Sequence, residues 1–365
     1  MNFQIKTPTI IIDAKKAKSN ILRMKNRAGE AGAIFRPHFK THQSADVAEW
    51  FREIGVDAIT VSSIAMARYF ANRGWTDITI AFPFNINELD DLIELQKKSR
   101  ITLIASSIQT FAVLEKNLSE VTDVFIKIDV GAGRAGISIE NPDLINELAS
   151  YLSKSCKLNL KGFITHAGHT YQAKGLQAIQ LISDKSYRSF QYLKQYTGNL
   201  SYMVSWGDTP SCSKANLTSY FDEWRPGNFV FYDVMQYHIG SCGLEDIALA
   251  VACPVVEVHP ERNQAIIYGG AVHFSKESIA ADDGFKLFGY VVKFNDDGWS
   301  DPVPGAWLMA VSQEHGIVQL SDNQKDMFKV GDIIGILPIH SCLTMSSLSE
   351  VCTLDGTKIH TMNQE

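Results

Sequence analysis

The chain reads as an α/β protein, a (β/α)8 barrel followed by a C-terminal mostly-β domain. Two patterns predict it. Through the first two-thirds, short apolar strand segments alternate with amphipathic helical ones, the rhythm of a parallel sheet with crossover helices. From about Leu244 onward the rhythm changes to short β-rich runs broken by Gly, Asp, Asn and Pro turns. The barrel is expected over residues 10–243 and the β-rich domain over 244–365, with residues 1–9 packing with the latter.

A helical stretch from Ala14 to Ala31 leads to a first strand at Ala33 to Lys40. Further strand segments stand at Ala58-Val61, Ile78-Phe82, Ile101-Ala105, Val124-Val130, Leu160-Thr165 and Tyr202-Ser205, with an eighth at Phe229-Asp233. Amphipathic pieces such as Ser44-Ile54, Ile86-Lys97 and Asp143-Leu152 fall between them. Eight strands within about 250 residues match a closed barrel. A doubly wound open sheet competes, and the count alone does not choose. The β-rich part contains Val255-Val258, Ala265-Tyr268, Phe288-Phe294, Ile317-Leu320 and Ile333-Leu337.

Composition removes several classes. With 365 residues, 45% of them hydrophobic, the chain can bury a large core. A formal net charge of -6 leaves no basic excess to hold nucleic acid. Apolar runs such as Ile247 to Val251 are too short to cross a bilayer, and residues 1–8 lack a signal-peptide pattern, so a cytoplasmic location is expected. The six cysteines are scattered without framework spacing, which fits reduced thiols; Cys156, Cys212, Cys242, Cys253 and Cys352 read as small buried hydrophobes.

Chemistry is concentrated in Arg36-Pro37-His38-Phe39-Lys40-Thr41-His42. Read as a strand, this run points His38, Lys40 and His42 to one face. A lysine held among cationic or desolvating groups has a lowered pKa and is suited to form a Schiff base. The competing reading is a solvated basic strand end. Other polar motifs fall where later strands would end: Asp129-Val130-Gly131-Ala132-Gly133-Arg134, His166-Ala167-Gly168-His169-Thr170-Tyr171, Trp206-Gly207-Asp208-Thr209-Pro210-Ser211 and Arg225-Pro226-Gly227-Asn228. Barrel chemistry gathers at that rim, and phosphate sites favour the last two loops. Each loop singly is a tight turn. Together, opposite a lysine, they point to pyridoxal 5'-phosphate, an aldehyde for Lys40 and a phosphate for the loops.

These motifs, with Ser312-Gln313-Glu314-His315-Gly316 and Pro338-Ile339-His340-Ser341-Cys342, resemble in order the signatures of the D-serine dehydratase and D-threonine aldolase family. The resemblance covers nearly the whole chain and implies an alanine racemase-like fold and a homodimer. It implies that Lys40 holds pyridoxal phosphate through an imine and that Tyr171 lies against the cofactor. Thr209, Gly227 and Asn228 would help hold its phosphate, and Arg134 would lie near the ring. Asp208 places an anion beside the phosphate loop, so its side chain must turn away or the loop is off by a residue. Tyr268 departs from relatives that carry an acidic residue before the glycine. No role is assigned to Glu314 or His315. His38 and His42 are read as supporting the lysine, and His166 and His169 as acid-base groups or structural histidines.

His340 and Cys342, on one face of a strand, would grip a divalent metal and leave positions for water and substrate. Imidazole with thiolate favours zinc. In the resembled family, dehydratases carry His and Cys here and aldolases His and Asp, which favours a dehydratase acting on a small D-amino acid, D-serine to pyruvate and ammonia. The alternatives are a D-threonine aldolase giving glycine and an aldehyde, an amino-acid racemase without need of a metal, and a non-catalytic cofactor-binding protein.

Overall fold

The computed structural model describes residues 4–280 and 284–364, in two compact units. One comprises residues 22–40 and 48–227, the other residues 1–21, 41–47 and 228–365.

The first unit is an eight-stranded parallel sheet whose strands run Ile34–Phe35, Glu223–Trp224, Met203–Trp206, Leu158–Ile164, Thr122–Asp129, Arg100–Ala105, Asp77–Pro83 and Ala58–Val61 from neighbour to neighbour. The two ends meet just beyond the first strand. Thr60 N–H donates to the Pro37 carbonyl and the Thr60 carbonyl accepts from Phe39 N–H, both at 2.9 Å. His38 and Thr60 thereby form a parallel bridge that closes the ring, so the open-sheet alternative is set aside. Helices Ala45–Arg52, Leu89–Gln96 and Pro142–Leu152 form where amphipathic pieces were expected.

Two strand assignments change. The eighth strand is Glu223–Trp224, whereas Asn228–Val230 is a 3-10 turn with Phe229 and Phe231 fully buried. A two-residue strand shows no alternation, and the aromatic run after Pro226-Gly227 mimics one. The first strand stops at Phe35, and residues 39–42 form turns. The expected alternation through His42 therefore fails. Thr41 and His42 are fully buried, while His38 and Lys40 are half-buried.

Phe39 anchors the turn. Its ring is fully buried against Phe51, Phe70 and Trp75, with centroids 4.9, 5.0 and 5.1 Å away. Arg36 ties the end of the first strand to its neighbour through Glu223 at 2.7 Å and, across the closure, to the start of Asp77–Pro83 through Asp77 at 2.6 Å.

In the second unit, Leu249–His259, Gln264–Tyr268, His315–Gln319, Trp307–Val311, Gly289–Val292 and Ile333–Pro338 pair antiparallel, and the last returns to the first to close a six-stranded ring. Thr9–Ile12 extends it against Leu249–His259, and Val351–Thr353 lies parallel to that added strand. Ile10, Ile11 and Ile12 are fully buried, which is why a chain end so distant in sequence belongs here. All six cysteines are free; Cys156 is exposed, not buried as expected. Among the described residues no helix is long and apolar enough to cross a membrane.

Removing the Phe39 ring should leave a cavity that the surrounding aromatics cannot fill. Phe39→Ala is expected to cost about 3–5 kcal/mol in denaturant unfolding; a loss below about 1 kcal/mol would contradict this packing.

Candidate active site

The barrel unit collects its chemistry where the strands end. Lys40 follows the closure at Thr60, and its N–H donates to Nδ1 of His38 at 3.3 Å, so that nitrogen is an acceptor. The His166 and Tyr171 rings lie 6.1 Å apart between centroids. Arg134 stands exposed in a loop built by Asp129, whose carboxylate accepts from the N–H groups of Gly131, Ala132 and Gly133 at 2.8–3.0 Å.

Buried Lys127 and Arg225, half-buried Lys40 and exposed Arg134 gather cationic groups here, with Asp129 acting on Lys127 and Glu223 on Arg225. Burial, reinforced by Lys40, Arg134, Lys127 and Arg225, holds the His166 imidazole well below its usual range. Burial also pushes the Lys127 amine down to about 7, helped by Arg225 and Arg134 and opposed by Asp129. Arg225 is fixed by Ser205 Oγ at 2.6 Å and by the Thr165 and Ser205 carbonyls. Gly207 packs on it so closely that a Cβ would meet the guanidinium at 3.2 Å.

The loop after Trp206 answers the difficulty raised by Asp208. Its carboxylate turns inward, accepting from Ser211 N–H at 2.7 Å, Thr170 Oγ1 at 3.0 Å and the Ser211 hydroxyl. That leaves the neighbouring Thr209 hydroxyl buried without a hydrogen-bond partner. A buried hydroxyl lacking a partner, in a region of gathered cations, fits the phosphate of an anionic cofactor. Gly227 is the other barrel residue expected to serve it.

The second unit holds Asn228 and the expected metal pair. The Asn228 side-chain amide donates to Asp233, to Ser341 Oγ at 3.2 Å and to Cys342 Sγ at 3.6 Å, which directs its NH2 toward the cysteine. His340 and Cys342 are not on a strand. Ile333–Pro338 ends before them, and His340 is the residue that precedes helix Ser341–Ser347. The extended backbone of His340 (φ -137°, ψ 99°) carries its side chain to Glu277, with Nδ1 2.7 Å from Oε2. Burial alone would lower the imidazole, but Cys342, Glu277 and Asp233 outweigh it and push it up to about 11. Thr41 Oγ1 lies 3.2 Å from Cys342 Sγ. An imidazole and a thiol two residues apart at one helix start are a fitting donor pair for zinc. Among the described residues no group of three or more His, Cys, Asp or Glu is placed to hold a metal.

Several polar partners escaped the sequence reading. Lys127 is the only one with a local signal, a lysine inside the apolar run Val124-Phe125-Ile126-Lys127-Ile128. Thr41, Asp233 and Glu277 reach their partners across long sequence separations. His42 is a core histidine, its Nδ1 accepting from Ser44 N–H at 3.2 Å and its pKa pushed down to about 3 by burial. Glu314 lies 3.7 Å from His273, whose ring meets Tyr268 edge-on.

Asp208 yields a pH prediction. Burial raises its carboxyl to about 6 despite the three donors, above the ~3.9 of an unfolded aspartate. Folding then favours the protonated acid, and stability is lost as pH rises from about 4 to 6. The gap corresponds to about 3 kcal/mol. Across that window the parent should lose roughly this much more stability than Asp208→Asn; parallel pH profiles would refute it.

The comparisons agree with this geometry. Residues 12–234 match the family described as alanine racemase, N-terminal domain, and residues 248–354 match the putative serine dehydratase domain. The chain is 30% identical to D-threo-3-hydroxyaspartate dehydratase of Delftia sp. (strain HT23), covering 93% of this chain and 91% of the relative. It is 28% identical to D-serine dehydratase of Dictyostelium discoideum, covering 95% and 92%. The solved Delftia structure superposes with a TM-score of 0.90 at 27% identity over 98% of both chains. A cysteine-to-alanine mutant of that dehydratase, in the metal-free form, superposes with 0.89 over 98% of both chains. The chain belongs to the D-serine dehydratase and D-threonine aldolase family, pyridoxal-phosphate-dependent lyases on the alanine racemase-like fold.

Proposed function

We propose that the protein is a metal-assisted dehydratase of D-β-hydroxy amino acids, converting D-serine to pyruvate and ammonia, with zinc as the metal. The observation that carries this reading is the His340–Cys342 pair, two side chains of metal-ligand type set at the start of one helix, with Glu277 on the imidazole and Thr41 and Asn228 on the thiol. The metal-free cysteine mutant of the Delftia dehydratase supports it.

Lys40 would hold the cofactor covalently, and its Nζ, once released, would take the proton from the substrate α-carbon. Thr209 Oγ1 and the N–H groups of Gly227 and Asn228 would bind the phosphate. Tyr171 would pack against the ring, with Arg134 nearby. When bound, pyridoxal phosphate supplies an electron sink for charge developing at that carbon, and the metal supplies Lewis acidity toward the departing β-hydroxyl. Thr41 and the Asn228 amide lie against Cys342 Sγ and would stabilise it as a thiolate.

The likeness to the Delftia dehydratase favours a second substrate, a β-hydroxy amino acid bearing an additional carboxylate such as D-threo-3-hydroxyaspartate. Product analysis with D-serine, D-threo-3-hydroxyaspartate and D-threonine separates these readings. The expected products are an oxo acid and ammonia. Glycine plus an aldehyde, with no oxo acid from any substrate, would make the protein an aldolase. Activity should vanish on chelation and return with zinc. Lys40→Ala should lower turnover by about 10²–10⁴-fold and remove the imine absorbance of the cofactor; if both persist, Lys40 is not the cofactor lysine.

A further inference from the structure

The segment Tyr268-Gly269-Gly270-Ala271-Val272-His273 leads directly to a side chain at the metal pair. Helix Ala271–Phe274 is pinned at its start by the turn at Ser312, Gln313 and Glu314, whose carbonyls accept from Ala271, Val272 and Gly269 N–H at 2.6, 3.2 and 2.9 Å. A Cβ on Gly270 would meet the Ser312 and Gln313 carbonyls at 2.5 Å, so only glycine lets the segments approach this closely. The helix ends at Ser275 in a left-handed conformation, φ 73°, which is strained for a residue with a side chain. Ser275 Oγ accepts from Glu277 N–H at 3.1 Å and locks the turn.

The turn delivers Glu277 Oε2 to 2.7 Å from Nδ1 of His340, across 63 positions of sequence. A carboxylate only accepts, so Nδ1 carries the proton of this bond, and Nε2 is the nitrogen whose lone pair becomes available when the imidazolium gives up its other proton to a binding metal. That is the tautomer a metal ligand requires when it shares the metal with Cys342.

We propose that Glu277 is a positioning residue of the metal centre, fixing the tautomer and orientation of His340 and making Nε2 a stronger donor. This rests on the reading that His340 and Cys342 hold the metal. A mere surface ion pair, half-exposed as Glu277 is, would leave metal affinity unchanged.

Zinc affinity of the cofactor-loaded protein, measured by competition with a chromophoric chelator, tests this independently of turnover. Glu277→Ala should weaken zinc by about 10–100-fold. Glu277→Gln keeps an acceptor without the charge and should fall between that variant and the parent. Cobalt substituted for zinc should keep its thiolate charge-transfer band in both variants, because Cys342 is untouched. Zinc affinity within threefold of the parent in both variants, or loss of the cobalt–thiolate band, would overturn the assignment. A parent that takes up no zinc, with Cys342→Ala indistinguishable from it, would overturn the metal reading itself and Glu277 with it.

Discussion

Closure of the barrel on Thr60 is the constraint from which the lysine gets its place. The backbone of one residue receives the chain from Pro37 and returns it to Phe39, and the Thr60 hydroxyl adds a bond to the Arg36 carbonyl at 2.9 Å. Because the first strand ends at Phe35, the lysine is not held by a ladder of its own. It is held by the fully buried Phe39 ring on its N-terminal side and by the bond from its N–H to His38. Arg36 fastens the same segment to Glu223 on the adjacent strand and to Asp77 one strand beyond the closure. A nucleophile on so short a leash gains precision from the burial of its neighbours.

Charge is the second organising term. Lys127 and Arg225 are buried, and they bear on His166 together with Lys40 and Arg134. Asp129 is taken up by the loop amides it supports, and Asp208 by its own loop. Glu223 offsets part of the charge on Arg225 and Asp129 part of that on Lys127, and buried charge that is only partly balanced is costly. A bound anion relieves that cost, so the region is built around what binds there more than around the stability of the empty fold.

The second unit makes a polar centre from four separated stretches of chain: Thr41, Asn228 with Asp233, Glu277, and His340 through Cys342. Asp233 accepts from Ser341 N–H at 3.0 Å and so fixes the start of the helix that presents Cys342. This arrangement explains why His340 and Cys342 meet although no strand aligns them.

How much was legible follows from how local each signal is. Strand and helix alternation depends on neighbours a few residues apart, and so the barrel and the β-rich part could be read directly from residue order. The candidate lysine, loop and His-x-Cys pair could be named as candidates in the same way, because each is a contiguous motif. What needed the folded chain were interactions without a local trace: a two-residue strand at Glu223–Trp224 specified by its partners, an inward-turned Asp208 carboxylate, and a Glu277 delivered by a strained serine. Residue order determined which groups are available; hydrogen bonding and burial across long separations decided which way each one points.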